Sequence, residues 1–266
     1  MRLTAVAVMV LAMVVGCGHK GKKIEAAKAH APKAEKAAKV LAGGAAEQQP
    51  VQAAIAAVER SVAPAVYVKA GPAIDGTLDS PAWQKAPALV IGKLGSKEVG
   101  QLKTTARVLL DDKNLYVAWE CMEPDMASLK ADVADRDGTV YSDDCAELFI
   151  APDIKKGYYQ FIINAKGTLF DGKSDVADEE SDTSWNSHAV IKTGKAKDRW
   201  IVTMSLPLSD LNPPAGKGQT WLMNLNRTKP GSGDVRWIES SWSAKGTSTY
   251  RMSDTWGKLA GVNIAK

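Results

Sequence analysis

Carboxylates, a lone histidine and a set of aromatics are the residues of this chain whose types could do chemistry. Asp143, Asp144 and Glu147 gather just before and inside an apolar run, and Asp178 to Asp182 (DEESD) make a second acidic stretch. Two carboxyl groups about 5–10 Å apart across a cleft would suit glycoside hydrolysis, but spacing along the chain does not bring any pair onto a common cleft. An acidic loop could instead hold Ca²⁺, a hard cation wanting several oxygens, yet no EF-hand spacing accompanies DEESD. That stretch reads as a solvated loop. Of the three histidines, His19 and His30 fall in the N-terminal segment, which leaves His188 with no nucleophile beside it. It reads as an exposed strand residue. The sequence carries no GxSxG, HExxH, Walker or Rossmann glycine pattern.

The eight tryptophans carry more information. Trp119 and Trp200 sit inside or at the start of apolar runs and read as core. Aromatics outside such runs are different, because a flat ring can stack on the C–H face of a sugar while polar neighbours meet its hydroxyls. Tyr141, before Ser142-Asp143-Asp144, and Tyr250, before Arg251, have that setting. Trp83 ends the stretch IDGTLDSPAW, whose Asp-Gly and Asp-Ser-Pro are turn formers.

These residues need a scaffold, and the texture after Val66 supplies one. Thr105–Leu110, Leu115–Cys121, Cys145–Ala151, Tyr158–Asn164, Thr168–Phe170, Ala189–Lys192, Trp200–Leu206 and Trp221–Asn226 have strand length and composition. No long amphipathic helices intervene, so the expected class is all-β, an antiparallel β-sandwich. Asp111 to Asn114 reads as a hairpin turn, and short helical turns are expected at Ala82–Ala86 and Leu208–Leu211. One domain from residue 66 to 266 is the economical division.

Residues 1–17 read as a lipoprotein signal peptide. Arg2 is followed by an apolar run, Ala5 to Val15, too short to span a bilayer, and Val14-Val15-Gly16-Cys17 is similar to a lipobox with Cys17 as the lipidated residue. Residues 18–65 are rich in Ala, Lys, Glu and Gln and lack aromatics, the composition of a tether. The expected location is the cell envelope, lipid-anchored at the outer membrane. Between Gly18 and Pro50 seven lysines face three glutamates, so the tether carries the whole +4 net charge. A near-neutral remainder argues against nucleic acid as its partner. Cys121 and Cys145 would lie outside the cytosol, where a disulfide between them is permitted, the alternative being two buried free thiols.

Read in order, IDGTLDSPAW, LYVAWECMEPDM, VYSDDCAELFIAPD, YYQFIINAKGTLFD, WIVTMSLPLSDL, GQTWLMNLNRTK, SSWS and YRMSDTWGKL resemble carbohydrate-binding module family 9, from about Val66 to Val262. The resemblance implies a jelly-roll or DOMON-like sandwich and noncatalytic binding of oligo- or polysaccharide. It places the two sugar-stacking aromatics on Tyr141 and Tyr250 and the hydroxyl-binding strand glutamate on Glu147, whose alternation with Ala146 and Leu148 turns it away from the core. Thr247 and Arg251 would complete the rim, and Asn164 and Asn226 would either reach the ligand or tie a turn. Departures are Ile162, where a sugar-binding member has arginine, and Trp256-Gly257 for the closing Phe-Gly. The resemblance also allows a structural Ca²⁺, with Glu123 and Asp125 as ligands. In it the DGxLDxPxW segment enters the sandwich and Trp83 packs against the core. Against binding stand two other readings, a glycan-hydrolysing or hydrolase-associated protein and an envelope scaffold.

Overall fold

A computed structural model of the protein describes residues 60–95, 102–231, 237–244 and 249–265. The signal, Cys17, the tether up to residue 59 and Thr247 lie outside the described residues. The described strands are β1 (Val62–Pro64), β2 (Leu89–Lys93), β3 (Thr104–Leu110), β4 (Asn114–Met122), β5 (Cys145–Ala151) and β6 (Tyr158–Asn164). They continue with β7 (Leu169–Ser174), β8 (Val190–Lys195), β9 (Arg199–Pro207), β10 (Gly216–Lys229), β11 (Ile238–Ser241) and β12 (Gly257–Ile264). Helical structure among the described residues is limited to 3₁₀ turns, including Trp83–Lys85 and Leu208–Leu211 where helical turns were expected.

Hydrogen bonding runs β7-β6-β5-β10-β11-β2-β3-β4-β9-β8, with β12 against β10. The pairs are antiparallel except β1, which lies parallel to β12. Alternation builds the shared core. Ala146, Leu148 and Ile150 of β5, Val117, Trp119 and Cys121 of β4, and Trp200, Val202 and Met204 of β9 all enter one cluster. The all-β antiparallel sandwich is thus the observed class.

The Asp111 turn forms as expected, with Asp111 Oδ1 accepting from the N–H groups of Lys113 and Asn114 at 2.8 and 2.7 Å. The domain starts earlier than residue 66, because Val62–Pro64 pairs with β12. Trp83 is fully buried, but not in the sandwich core. It packs with Leu109, Tyr116 and Ala118 on the other face of β3 and β4. Its turn is fixed by Asp75, which accepts from Thr77 N at 2.9 Å, and by Gly76 at φ +83. A Cβ at Gly76 would meet the Thr193 backbone at 2.5 Å, so this close approach requires glycine.

Cys121 and Cys145 are buried free thiols, which corrects the disulfide. Cys121 points into the sandwich core, whereas Cys145 packs with Val140 and Ile162 on the opposite face of β5. Two thiols on opposite faces cannot meet without moving backbone. His188 is exposed, as expected, but in the connection before β8, with Nδ1 3.1 Å from Asp210.

Candidate functional site

β5, β6 and the end of β10 are buried on both faces. One face makes the core. The other carries Glu147 of β5, Gln160 of β6, Asn224, Asn226 and Thr228 of β10, and Glu239 and Ser241 of β11, aligned by strand register. Burying this many polar groups on a sheet face is costly unless they bond to one another or to something else.

Glu147 sits at the middle of this face and is 4% exposed. Gln160 Nε2 donates to its Oε1 at 2.7 Å, and Ser181 Oγ in turn donates to Gln160 Oε1 at 2.7 Å. Burial pushes the Glu147 carboxyl up to about 7, against the opposing pull of Gln160, the Arg251 charge and the Tyr250 hydroxyl. Its register partner on β10 is Asn226. The Asn226 amide is fully buried, and neither its Nδ2 nor its Oδ1 has a hydrogen-bond partner.

Aromatic rings wall one side. Phe149 stacks on Trp256 at 5.0 Å between centroids, Tyr158 meets Trp256 edge-on at 5.4 Å, and Tyr250 tilts against Phe149 at 6.1 Å. Trp256 therefore belongs to this wall rather than to the sandwich core, and its Nε1 donates to the Tyr250 carbonyl at 2.8 Å. Its neighbour Gly257 lets Trp242 and the Ser61 carbonyl come close, where a Cβ would sit 2.5 Å from the Trp242 ring. The Tyr250 hydroxyl lies beside Glu147 and Thr228, and the Glu147 charge together with burial drives its ionisation far upward.

The predicted site residues thus divide. Glu147, Tyr250, Arg251 and Asn226 come together, with Arg251 exposed at the rim. Tyr141 is 51% exposed on the turn before β5, while Tyr250 is partly buried in the aromatic wall, so the two tyrosines are not equivalent platforms. Asn164 ties a turn, its Oδ1 accepting from Lys166 N and Thr168 N at 3.0 and 2.9 Å. Ile162 packs into the small apolar cluster with Val140 and Cys145.

Glu123, one of the two expected calcium ligands, is engaged by protein donors. Glu123 Oε2 accepts from Arg227 at 3.1 Å and Lys229 at 2.8 Å, and its Oε1 accepts from Asp125 N. With Asp144 at 3.9 and 3.8 Å from the same cations, two acids face two bases. Both carboxylate oxygens of Glu123 thus already accept hydrogen bonds from the protein. Among the described residues no three His, Cys, Asp or Glu side chains are grouped to hold a metal.

The DEESD stretch is the exposed loop its composition implies, with Asp178, Glu179, Glu180 and Asp182 in water, but three of its groups also reach the site face. Asp178 Oδ1 accepts from Ser253 N at 2.6 Å, the Glu179 carbonyl accepts from Tyr158 Oη, and Ser181 reaches Gln160. It therefore lies against the site face. Gln160, Glu239 and Ser181 were missed from sequence. Gln160 had a readable signal, since laying YYQFIIN antiparallel to CAELFIA puts it on the face of Glu147.

Comparison with known proteins agrees with the fold. Residues 74–263 match the family described as carbohydrate family 9 binding domain-like, and the chain belongs to that family. The fold is similar to a carbohydrate-binding module family 9 from Caldicellulosiruptor kristjanssonii in complex with cellotriose, at 15% identity and TM-score 0.56, covering 77% of this chain and 95% of that one. The glucose complex of a family 9 module from the same organism aligns at 16% identity and TM-score 0.55, covering 75% and 95%. A putative carbohydrate-binding protein from Bacteroides uniformis aligns at 17% identity and TM-score 0.62, covering 76% and 99%. No curated protein matches.

Proposed function

We propose that the chain is a noncatalytic carbohydrate-binding module whose ligand lies over Glu147 and Asn226. The observation that carries this reading is the pair itself. A buried carboxyl stands beside a buried amide with no protein partner, on a face walled by Tyr250, Phe149 and Trp256. Sugar hydroxyls both donate and accept, so one ring edge can satisfy the two groups while its C–H face meets Tyr250, the partly exposed ring that the buried Phe149 and Trp256 hold in place. Family membership and the cellotriose and glucose complexes of similar modules support the same class of ligand.

Calorimetric titration of the purified chain with oligosaccharides, before and after borohydride reduction of their ends, tests the proposal. Saturable heat is expected, with Kd in the roughly micromolar to millimolar range of such small, polar sites. Loss on reduction would assign the site to chain ends. Absence of heat with every sugar, from a folded chain, would leave the sandwich as an interaction scaffold.

In the same proposal Cys17 carries lipid and residues 18–59 tether the domain at the cell envelope, so that captured polysaccharide is held near the membrane. Partition of the expressed chain into the membrane fraction tests the anchor; a wholly soluble chain would remove it.

A further inference from the structure

All eight tryptophans are described, and Trp237 is the most exposed of them at 50%; five of the others, Trp83, Trp119, Trp200, Trp221 and Trp256, are fully buried. A single exposed ring is ordinary on a protein surface; what gives this one weight is the polar face beside it. Trp237 directly precedes β11, whose Glu239 and Ser241 are register partners of Thr228 and Asn226. Between them Ile238 partners Lys229, whose Nζ turns inward to Glu123. Alternation therefore sends Trp237 to the face that carries Glu239, Ser241 and the Glu147–Asn226 pair.

Tyr141 stands at the same end of that face. It is 51% exposed on the turn leading into β5, and the first residue of β5, Cys145, is the register partner of Thr228. β5 and β11 flank β10 on either side, so the strand ends near which the two aromatics lie, Cys145 and Ile238, are roughly 10 Å apart by two interstrand spacings. Two exposed rings thus stand near one end of the buried polar patch. Stacking asks only for a sugar's C–H face, so such a platform accepts a unit whose hydroxyls the patch does not read.

On the sugar-binding reading above, we propose that Trp237 and Tyr141 form an outer platform that takes the next unit of a glycan whose first unit lies over Glu147 and Asn226. The site then responds to chain length, and Trp237 is the residue that sets this response.

Glucose, cellobiose and cellotriose titrated into the full chain and into Trp237→Ala test it. Affinity of the unaltered chain is expected to rise by roughly tenfold from glucose to the longer sugars, the upper end for one aromatic stacking contact. Trp237→Ala should bind glucose within about twofold of the unaltered chain and lose the rise, while Trp237→Phe keeps part of it. The melting temperature should not change, because the ring is exposed. Acrylamide quenching of tryptophan emission should fall when cellotriose binds. A rise with chain length that survives Trp237→Ala, or no rise in the unaltered chain, overturns the platform and leaves the sugar-binding reading standing. No binding of any of the three sugars by the unaltered chain overturns both.

Discussion

Asn224 and Asn226 stand two residues apart on β10, on the same face and equally buried, and the fold uses them in opposite ways. Asn224 Oδ1 accepts from Ser241 Oγ, Ser243 N and Ser243 Oγ at 3.0, 3.3 and 2.9 Å, and its Nδ2 donates to the Tyr250 carbonyl at 3.4 Å. It holds the chain that bears Tyr250 against the sheet. Asn226 makes none of these bonds. A buried amide without partners costs on the order of 1–3 kcal/mol, a cost the fold has no structural reason to carry. The difference separates groups that build the site from groups that serve a ligand.

The same contrast runs through the thickness of β10. Arg227 and Lys229, adjacent to the site residues in sequence, point the other way and meet Glu123 and Asp144 inside the sandwich. Arg227 also donates to Thr104 Oγ1 and the Met122 carbonyl, and its guanidinium lies 5.7 Å from the Trp200 ring. This charge cluster ties β10 to β4 across the core. Removing one member leaves an uncompensated buried charge, so Glu123→Ala should destabilise the domain by about 3–5 kcal/mol in thermal or denaturant unfolding. A loss under about 1 kcal/mol would mean that the cluster is wetter than the structure has it.

Glu147 gives the next largest effect, and its sign is opposite to that of an ordinary surface acid. Its carboxyl titrates at about 7 in the folded chain against an ordinary 4.5, so ionisation opposes folding. The stability it contributes is complete below about pH 4.5 and is lost as pH rises through 7, about 3 kcal/mol in all. Glu147→Gln should remove most of that slope and be more stable than the unaltered chain at pH 8. An unchanged pH profile in the variant would place the carboxyl in water and detach it from Asn226.

How far these roles could be read from sequence depends on which face a residue takes. β5, β6 and β9 were legible because their runs are apolar and of strand length, and Glu147 stood out by alternating with Ala146 and Leu148. β10 was cut short at Asn226, since Arg-Thr-Lys reads as solvent-facing when the acids that neutralise it come from β4 and from the residue before β5. β11 (IESS) is polar because it contributes to both buried faces, and β12 is interrupted by Gly261 at φ +88, so neither looked like a strand. β1 hid inside a segment whose composition is that of the tether. The cysteines misled for the same reason as β10. Each sits in a recognisable strand, and only the pairing reveals that they face apart. Tyr141 and Tyr250 were correctly set apart from the core, but their unequal exposure follows from Phe149 and Trp256, which no local pattern connects to Tyr250.

The most direct test is the pair of asparagines. Asn224→Ala and Asn226→Ala, each titrated with cellotriose beside a measured melting temperature, ask whether building and binding are separate. The account predicts that Asn226→Ala keeps or slightly raises the melting temperature while affinity falls by about tenfold or more, the scale of one lost hydrogen bond to a ligand. Asn224→Ala should lower the melting temperature by several degrees, as expected for about 1–3 kcal/mol in a domain of this size. Undiminished cellotriose binding by a folded Asn226→Ala chain would contradict the claim that this face holds the sugar.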